Sequence, residues 1–475
     1  MKKSPSVKVN AVYNAIRYIL KIILPLISFP YVTRVLLPEN YGKVNYCASI
    51  ISYFMLIAAL GINEYAVREG AAYRNDRTKM SKFANQIFSL QLLSTAVSYI
   101  LLFLFILFWK TDPEYKHIIM IQSVGIILTT IGVDWIYVIY EDYLYTTIRS
   151  FIVQIVSISL IFLLVKHTSD YKIYAAISTM ATGAGYIFNY FHSKKYIDLK
   201  PTRNIDVKKH IKPILILFCN VALISIYLNS DMTMLGIIKG DRAVGLYEVS
   251  VKIYSMIKGV LNAIVLVALP RLSAYIRNDE IERYNELAQN LLSAQIVVLF
   301  PAITGLYMVS SDVVCVMAGK EFAAAASSLR ILSIALFFAV FSNFYAYVIM
   351  MTQRMDKEIL LATIISATFN VILNFFAIPM FGVDGAAITT LIAEFTVAAM
   401  GFRFCRKKLI VELDKRLLFS TVLGCVAIIV TCILFEKVSV SMLLKIILKV
   451  LTSVLIYGMC QMLLNKKNVI MFLKK

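Results

Sequence analysis

The chain has 475 residues, of which 60% are hydrophobic and 16% charged, with a mean hydropathy of +0.76. Soluble domains run about 45–50% apolar, so this composition leaves no room for a soluble domain and points to a protein that lives in lipid. In that setting the formal net charge of +20 reads as membrane topology and attraction to anionic headgroups, not as nucleic-acid binding.

The basic start MKKSPSVKVN runs into an apolar stretch well past about 20 residues with no small-residue cleavage site, so it reads as a retained first helix and not as a signal peptide. Apolar segments then follow at 42–63, 83–109, 117–139, 146–166, 171–192, 210–238, 244–268, 288–310, 323–351, 358–378, 383–404, 416–435 and 439–464. With the first at 10–37, they predict about fourteen transmembrane helices, each near the 20 residues that span a bilayer. Unbroken runs of this length exclude an outer-membrane barrel, whose strands alternate over about 10 residues. The expected fold class is an all-α polytopic membrane protein. Lys and Arg are several-fold more frequent in alternate loops, and short cytoplasmic loops carry that excess. Both termini are therefore expected in the cytoplasm, in a bacterial inner membrane. Pro25 and Pro30 in the first helix each remove a backbone donor, which suits either a bendable gate or a fixed kink.

An internal repeat is visible. PENYGKVNYCASIISYF at 38–54 resembles DRAVGLYEVSVKIYSMI at 241–257, and AAYRND at 71–76 resembles SAYIRND at 273–279. Gly42 to Gly245, Ser52 to Ser255 and Arg68 to Arg271 are each 203 residues apart. The copies are offset by six helices, an even number, so they share one orientation, as in parallel transporter repeats. The expected organisation is two six-helix lobes, 1–209 with a basic cytoplasmic loop at its end and 210–405, followed by 406–475 with two further helices and a basic tail.

Catalytic chemistry finds no support. His117, His167, His192 and His210 lie at helix ends or in loops, and no nucleophile elbow, phosphate loop or H-E-x-x-H is present. The seven cysteines show no C-x-x-C or zinc spacing, so neither disulfides nor a metal is expected. The informative residues are charges inside apolar spans: Arg17 and Lys21 in the first helix, Arg34 near its outer end, and Lys252 and Lys258 in the eighth. Arg17, Lys21, Lys252 and Lys258 facing lipid would together cost roughly 12 kcal/mol, at about 3 kcal/mol each. They are expected to snorkel to an interface or to line a cavity that receives an anion. The helix carboxylates of interest are Asp134, Asp231, Glu248 and Glu394, and Asp231 and Glu394 are the deepest. Asp231 is a counter-ion for Lys252 or Lys258, or else a proton or sodium coupling site.

The stretches RVLLPENYGKVNYCASIISYFMLIAALGINEYAVREGA at 34–71, MLGIIKGDRAVGLYEVSVKIYSMI at 234–257 and NVILNFFAIPMFGVDGAAITTLIAE at 370–394 resemble the polysaccharide-biosynthesis flippases of the Wzx type. These belong to the multidrug/oligosaccharidyl-lipid/polysaccharide exporter superfamily. The resemblance implies no enzyme and no cofactor beyond proton or sodium coupling. It implies a cargo of oligosaccharide on undecaprenyl pyrophosphate, flipped outward by alternating access for O-antigen, capsule or exopolysaccharide. Membrane lipids and, in assembly, a polysaccharide polymerase and its companions are the partners it implies. It also maps a cationic cavity onto Arg17, Lys21, Arg34, Lys252 and Lys258. Helices 2 and 7 depart from the family pattern, since their basic residues, Lys43 and Lys212, are terminal. A peptidoglycan-precursor flippase and a multidrug/cation antiporter are the alternatives, the latter disfavoured by excess intramembrane positive charge.

Overall fold

The computed structural model describes residues 7–406, 414–438 and 440–465, with side chains from Leu26 onward. Among these residues the regular structure is helical throughout: α1 (Val7–Ala59), α2 (Ile62–Gly70), α3 (Arg77–Phe108), α4 (Pro113–Gly132), α5 (Asp134–Ile139), α6 (Tyr143–Leu164), α7 (Tyr171–Ser193), α8 (Val207–Lys239), α9 (Asp241–Arg277), α10 (Ile281–Ala318), α11 (Ala325–Phe344), α12 (Asp356–Phe381), α13 (Val383–Cys405), α14 (Lys415–Glu436) and α15 (Met442–Leu464). Helix is the form in which an apolar chain satisfies its own backbone polar groups without water. Among the described residues, twelve segments are long and apolar enough to cross a membrane. One of them, Leu26–Tyr73, takes in the end of the predicted span 10–37 and all of 42–63, and α7 has the length but not the apolarity to be counted with the twelve. The predicted fourteen segments therefore each have a helix. The chain falls into two compact units, Met1–Gly236 and Ile237–Lys475.

Local chemistry sets the helix ends. Asp76, Asp142, Asp414 and Ser441 cap α3, α6, α14 and α15, each side-chain oxygen accepting a backbone N–H of the first turn. Asp112 does the same for α4, with Pro113 at the first helical position. Inside α1 the backbone breaks at Leu37, at φ 62 and ψ 169. The following Pro38 explains the place, because the residue before a proline is pushed out of the helical region. Gly240, between α8 and α9, has φ 82 and ψ −178. It lies 203 residues after Leu37, so the repeat read from the sequence reappears as the same unusual backbone conformation in each unit.

Three predicted helices are corrected. The span at 42–63 ends at Ala59, and Leu60 and Gly61, both with positive φ, start the separate helix α2. The span at 117–139 breaks at Val133 (φ 38), which separates α4 from α5. The span at 288–310 extends to Ala318, which brings Asp312 into a helix. Apolar periodicity does not report a single left-handed residue, which explains the first two misses.

In the first unit, the segment between α7 and α8 is bound along α3. The N–H groups of Asp198, Lys200 and Thr202 donate to Ser81 Oγ (3.0 Å), Asn85 Oδ1 (2.7 Å) and Ser89 Oγ (2.7 Å). Two extended residues advance about 6.6 Å and four helical residues about 6 Å, so the two ladders stay in register. Ile197 and Leu199 are buried in the core beneath. His210, at the start of α8, is buried between Tyr65 and Gln86, its ring nitrogens 2.7 Å from the Tyr65 hydroxyl and 2.8 Å from Gln86 Oε1. Tyr196 donates to Asp142, and burial followed by that carboxylate raises the phenol pKa well above its ordinary value. The loop expected to be a basic connector is thus a fixed strap, with its cations outward.

Candidate functional site

In the second unit, α9 and α13 meet along one face each. The Tyr247 hydroxyl shares a hydrogen bond with Thr390 Oγ1 at 2.9 Å, and two and three turns further on Tyr254 and Lys258 reach Glu394, one turn beyond Thr390. Both sets advance in the same chain direction, as helices separated by an odd number of spans must. Lys258 Nζ lies 2.5 Å from Glu394 Oε1, and the Tyr254 hydroxyl donates to that same oxygen at 3.0 Å. The ammonium also sits 5.5 Å from the centre of the Tyr254 ring. Lys258 is near the middle of the 37-residue α9 and Glu394 near the middle of the 23-residue α13. The carboxylate side chain is 6% exposed and the lysine 26%, so the cation is the member of the pair open to solvent or ligand.

The remaining expected residues fall as follows. Arg17 and Lys21 lie on the helical stretch of α1 before Leu26, outside the residues whose side chains are described. Arg34 is exposed and donates to the Pro30 carbonyl at 2.7 Å. Lys252 is half-buried one turn beyond Glu248 on α9 and interacts with it electrostatically. Asp231 is buried in the first unit, beside a seam in which Thr233 joins Ser49 (2.9 Å) and Tyr53 (3.2 Å), with Tyr53 in its electrostatic range. The acid at Lys258 is Glu394.

Three further charged clusters escaped the sequence. Lys43, read as terminal, is half-buried, 2.6 Å from Glu114 and 5.4 Å from the ring centres of both Tyr115 and Tyr171. Arg149 on α6, its side chain 10% exposed, lies 3.5 Å from Asp134 and over the Tyr186 ring. Lys449 on α15, its side chain fully buried, reaches Asp312 on α10 and Glu436 on α14 at 2.7 Å each. Lys449 in the apolar run LLKIILKVLT was the available signal, but both of its partners, Asp312 and Glu436, fall between the predicted spans. Among the described residues no cluster of His, Cys, Asp and Glu could hold a metal ion.

Among its described residues the chain is a helical, multi-pass membrane protein with ion pairs in mid-span. Its fold is shared with a solved structure titled "Lipid II flippase MurJ, inward closed conformation", which superposes with a TM-score of 0.80 at 16% identity, covering 97% of this chain and all of that one. Residues 7–276 match the family described as Polysaccharide biosynthesis protein, and the chain belongs to that family. It is 27% identical over 408 residues to the Escherichia coli K12 protein named "Putative O-antigen transporter", covering 84% of this chain and 97% of that protein. It is 22% identical over 411 residues to the Staphylococcus aureus "Capsular polysaccharide biosynthesis protein CapF", covering 84% and 99%.

Proposed function

We propose that this protein flips a lipid-linked oligosaccharide from the cytoplasmic to the outer leaflet of a bacterial inner membrane, supplying O-antigen, capsule or exopolysaccharide synthesis. It forms and breaks no covalent bond in doing so. The observation that carries the reading is Lys258, a cation held at mid-span and open on one side. A charge there costs about 3 kcal/mol on insertion scales, and a protein retains it where an anion must be received. The pyrophosphate of an undecaprenyl-linked cargo is such an anion. Arg17, Lys21, Arg34 and Lys252 extend the basic path, with both termini inside, and proton or sodium movement at Asp231 or Glu394 drives the cycle. Membrane lipids and a polysaccharide polymerase with its assembly proteins are the partners.

The test is export of surface polysaccharide from cells carrying Lys21→Ala, Lys258→Ala or both, with membrane protein level quantified. Loss of export at normal protein level, with partial rescue by Lys258→Arg, is expected, since phosphate accepts either cationic head. Normal export from the double mutant would remove the cationic-site mechanism.

A further inference from the structure

Lys258 faces Glu394 at 2.5 Å in mid-span, so the structure shows what holds its ammonium while no cargo occupies it. We propose that Glu394 is an exchangeable counter-ion: it occupies Lys258 in the empty protein and is displaced when a phosphate of the cargo takes the ammonium. This inference rests on the reading of Lys258 as a phosphate-binding residue and adds how that residue is kept ready and how cargo is let go.

Four observations point to exchange and not to a permanent structural bridge. The pair is lopsided, with a buried carboxylate (6%) and a more open ammonium (26%), so an incoming anion meets the cation first. An ammonium has three donors, and among the described residues Glu394 Oε1 is its one ion-pair acceptor, at 2.5 Å. The same oxygen accepts from Tyr254 at 3.0 Å, so the carboxylate keeps a buried hydrogen bond after the lysine swings away. Lysine, on a flexible stem, can turn between two acceptors without moving its helix, which a bidentate arginine could not do as readily. The contrast with Lys449 is instructive. That lysine is fully buried and bonded to two carboxylates at 2.7 Å, leaving it no open side; it is a fastening, and Lys258 is not.

Exchange makes a signed prediction that a structural bridge does not. Removing the charge of Glu394 while keeping its shape removes the competitor, so phosphate should bind more tightly while transport slows because nothing displaces the cargo. The experiment uses the full-length protein in lipid nanodiscs with undecaprenyl pyrophosphate as probe, alongside polysaccharide export and membrane level in cells. Glu394→Gln is expected to tighten probe binding about tenfold, within the usual range of coupling between two ligands of one site, and to reduce export at normal membrane level. Lys258→Ala is expected to weaken binding, and Glu394→Gln added to it should then have no effect on binding. If Lys258→Ala weakens binding but Glu394→Gln leaves it unchanged or weaker, counter-ion exchange is refuted and the phosphate reading stands. If Lys258→Ala leaves probe binding intact, the phosphate reading itself fails. Should Glu394→Gln lower the membrane level, Glu394→Asp decides: a shortened carboxylate that competes less well should tighten binding by a smaller factor, and unchanged binding overturns the exchange.

Discussion

Leu37 holds a conformation that costs a branched-chain residue dearly and a glycine almost nothing. Its φ of 62 and ψ of 169 fall where glycine is nearly the sole occupant, at a cost of about 1–3 kcal/mol for other residues, and its repeat equivalent is Gly240. Leu37 is also exposed, so little packing depends on its side chain. Leu37→Gly is therefore expected to raise the melting temperature of the purified protein or leave it level. Gly240→Leu should lower it by the equivalent of about 1–3 kcal/mol without abolishing the fold, because a Cβ at Gly240 has nothing within 4 Å and the first unit already tolerates leucine there. A fall in stability from Leu37→Gly would show that the break is held by side-chain packing. Lys449 makes the opposite point. Lys449→Met leaves the Asp312 carboxylate, 15% exposed, without its cation, and breaking such a pair costs about 3–5 kcal/mol. Adding Asp312→Asn should recover most of that loss in the same melting assay, since the uncompensated charge and not the missing bond carries the cost.

At the scale of elements, the strap between α7 and α8 should behave as part of the first unit. Each of its backbone N–H bonds to Ser81, Asn85 and Ser89 of α3 is worth about 0.5–1.5 kcal/mol. Combining Ser81→Ala, Asn85→Ala and Ser89→Ala should loosen it enough for trypsin to cut at Lys194, Lys195 or Arg203 in inside-out vesicles, where the parent resists. Equal cutting of parent and variant would mean that the strap is already loose. Gly385 is a second such point, since a Cβ there would collide with the Ala377 carbonyl backbone. The run of apolar segments and the repeat could be read from composition and spacing because each is a property of the chain alone. The seating of the strap could not, because Ser81, Asn85 and Ser89 look like ordinary helix polar residues until an extended chain lies on them. The same holds for Lys258 and Glu394, which lie 136 residues apart and meet only because α9 and α13 turn particular faces to each other.

For the whole molecule, the proposed orientation rests on the Lys and Arg asymmetry between loops. Single cysteines at Arg203 should be shielded from membrane-impermeant reagents in intact cells, and cysteines at Asp112 should react; labelling at Arg203 would reverse the orientation and with it the direction of transport. Family membership and fold were legible from the three stretches at 34–71, 234–257 and 370–394, whereas the partner of each intramembrane charge was not. The central claim is that this chain delivers a lipid-linked oligosaccharide to the outer leaflet, and depletion in the native host tests it most directly. Mass spectrometry of extracted lipids, combined with an impermeant reagent that marks outward-facing glycan, reads both identity and sidedness. The expected result is accumulation of an undecaprenyl-pyrophosphate-linked oligosaccharide repeat unit facing the cytoplasm. Accumulation of the peptidoglycan precursor in its place, or no change in any lipid-linked glycan, would contradict it.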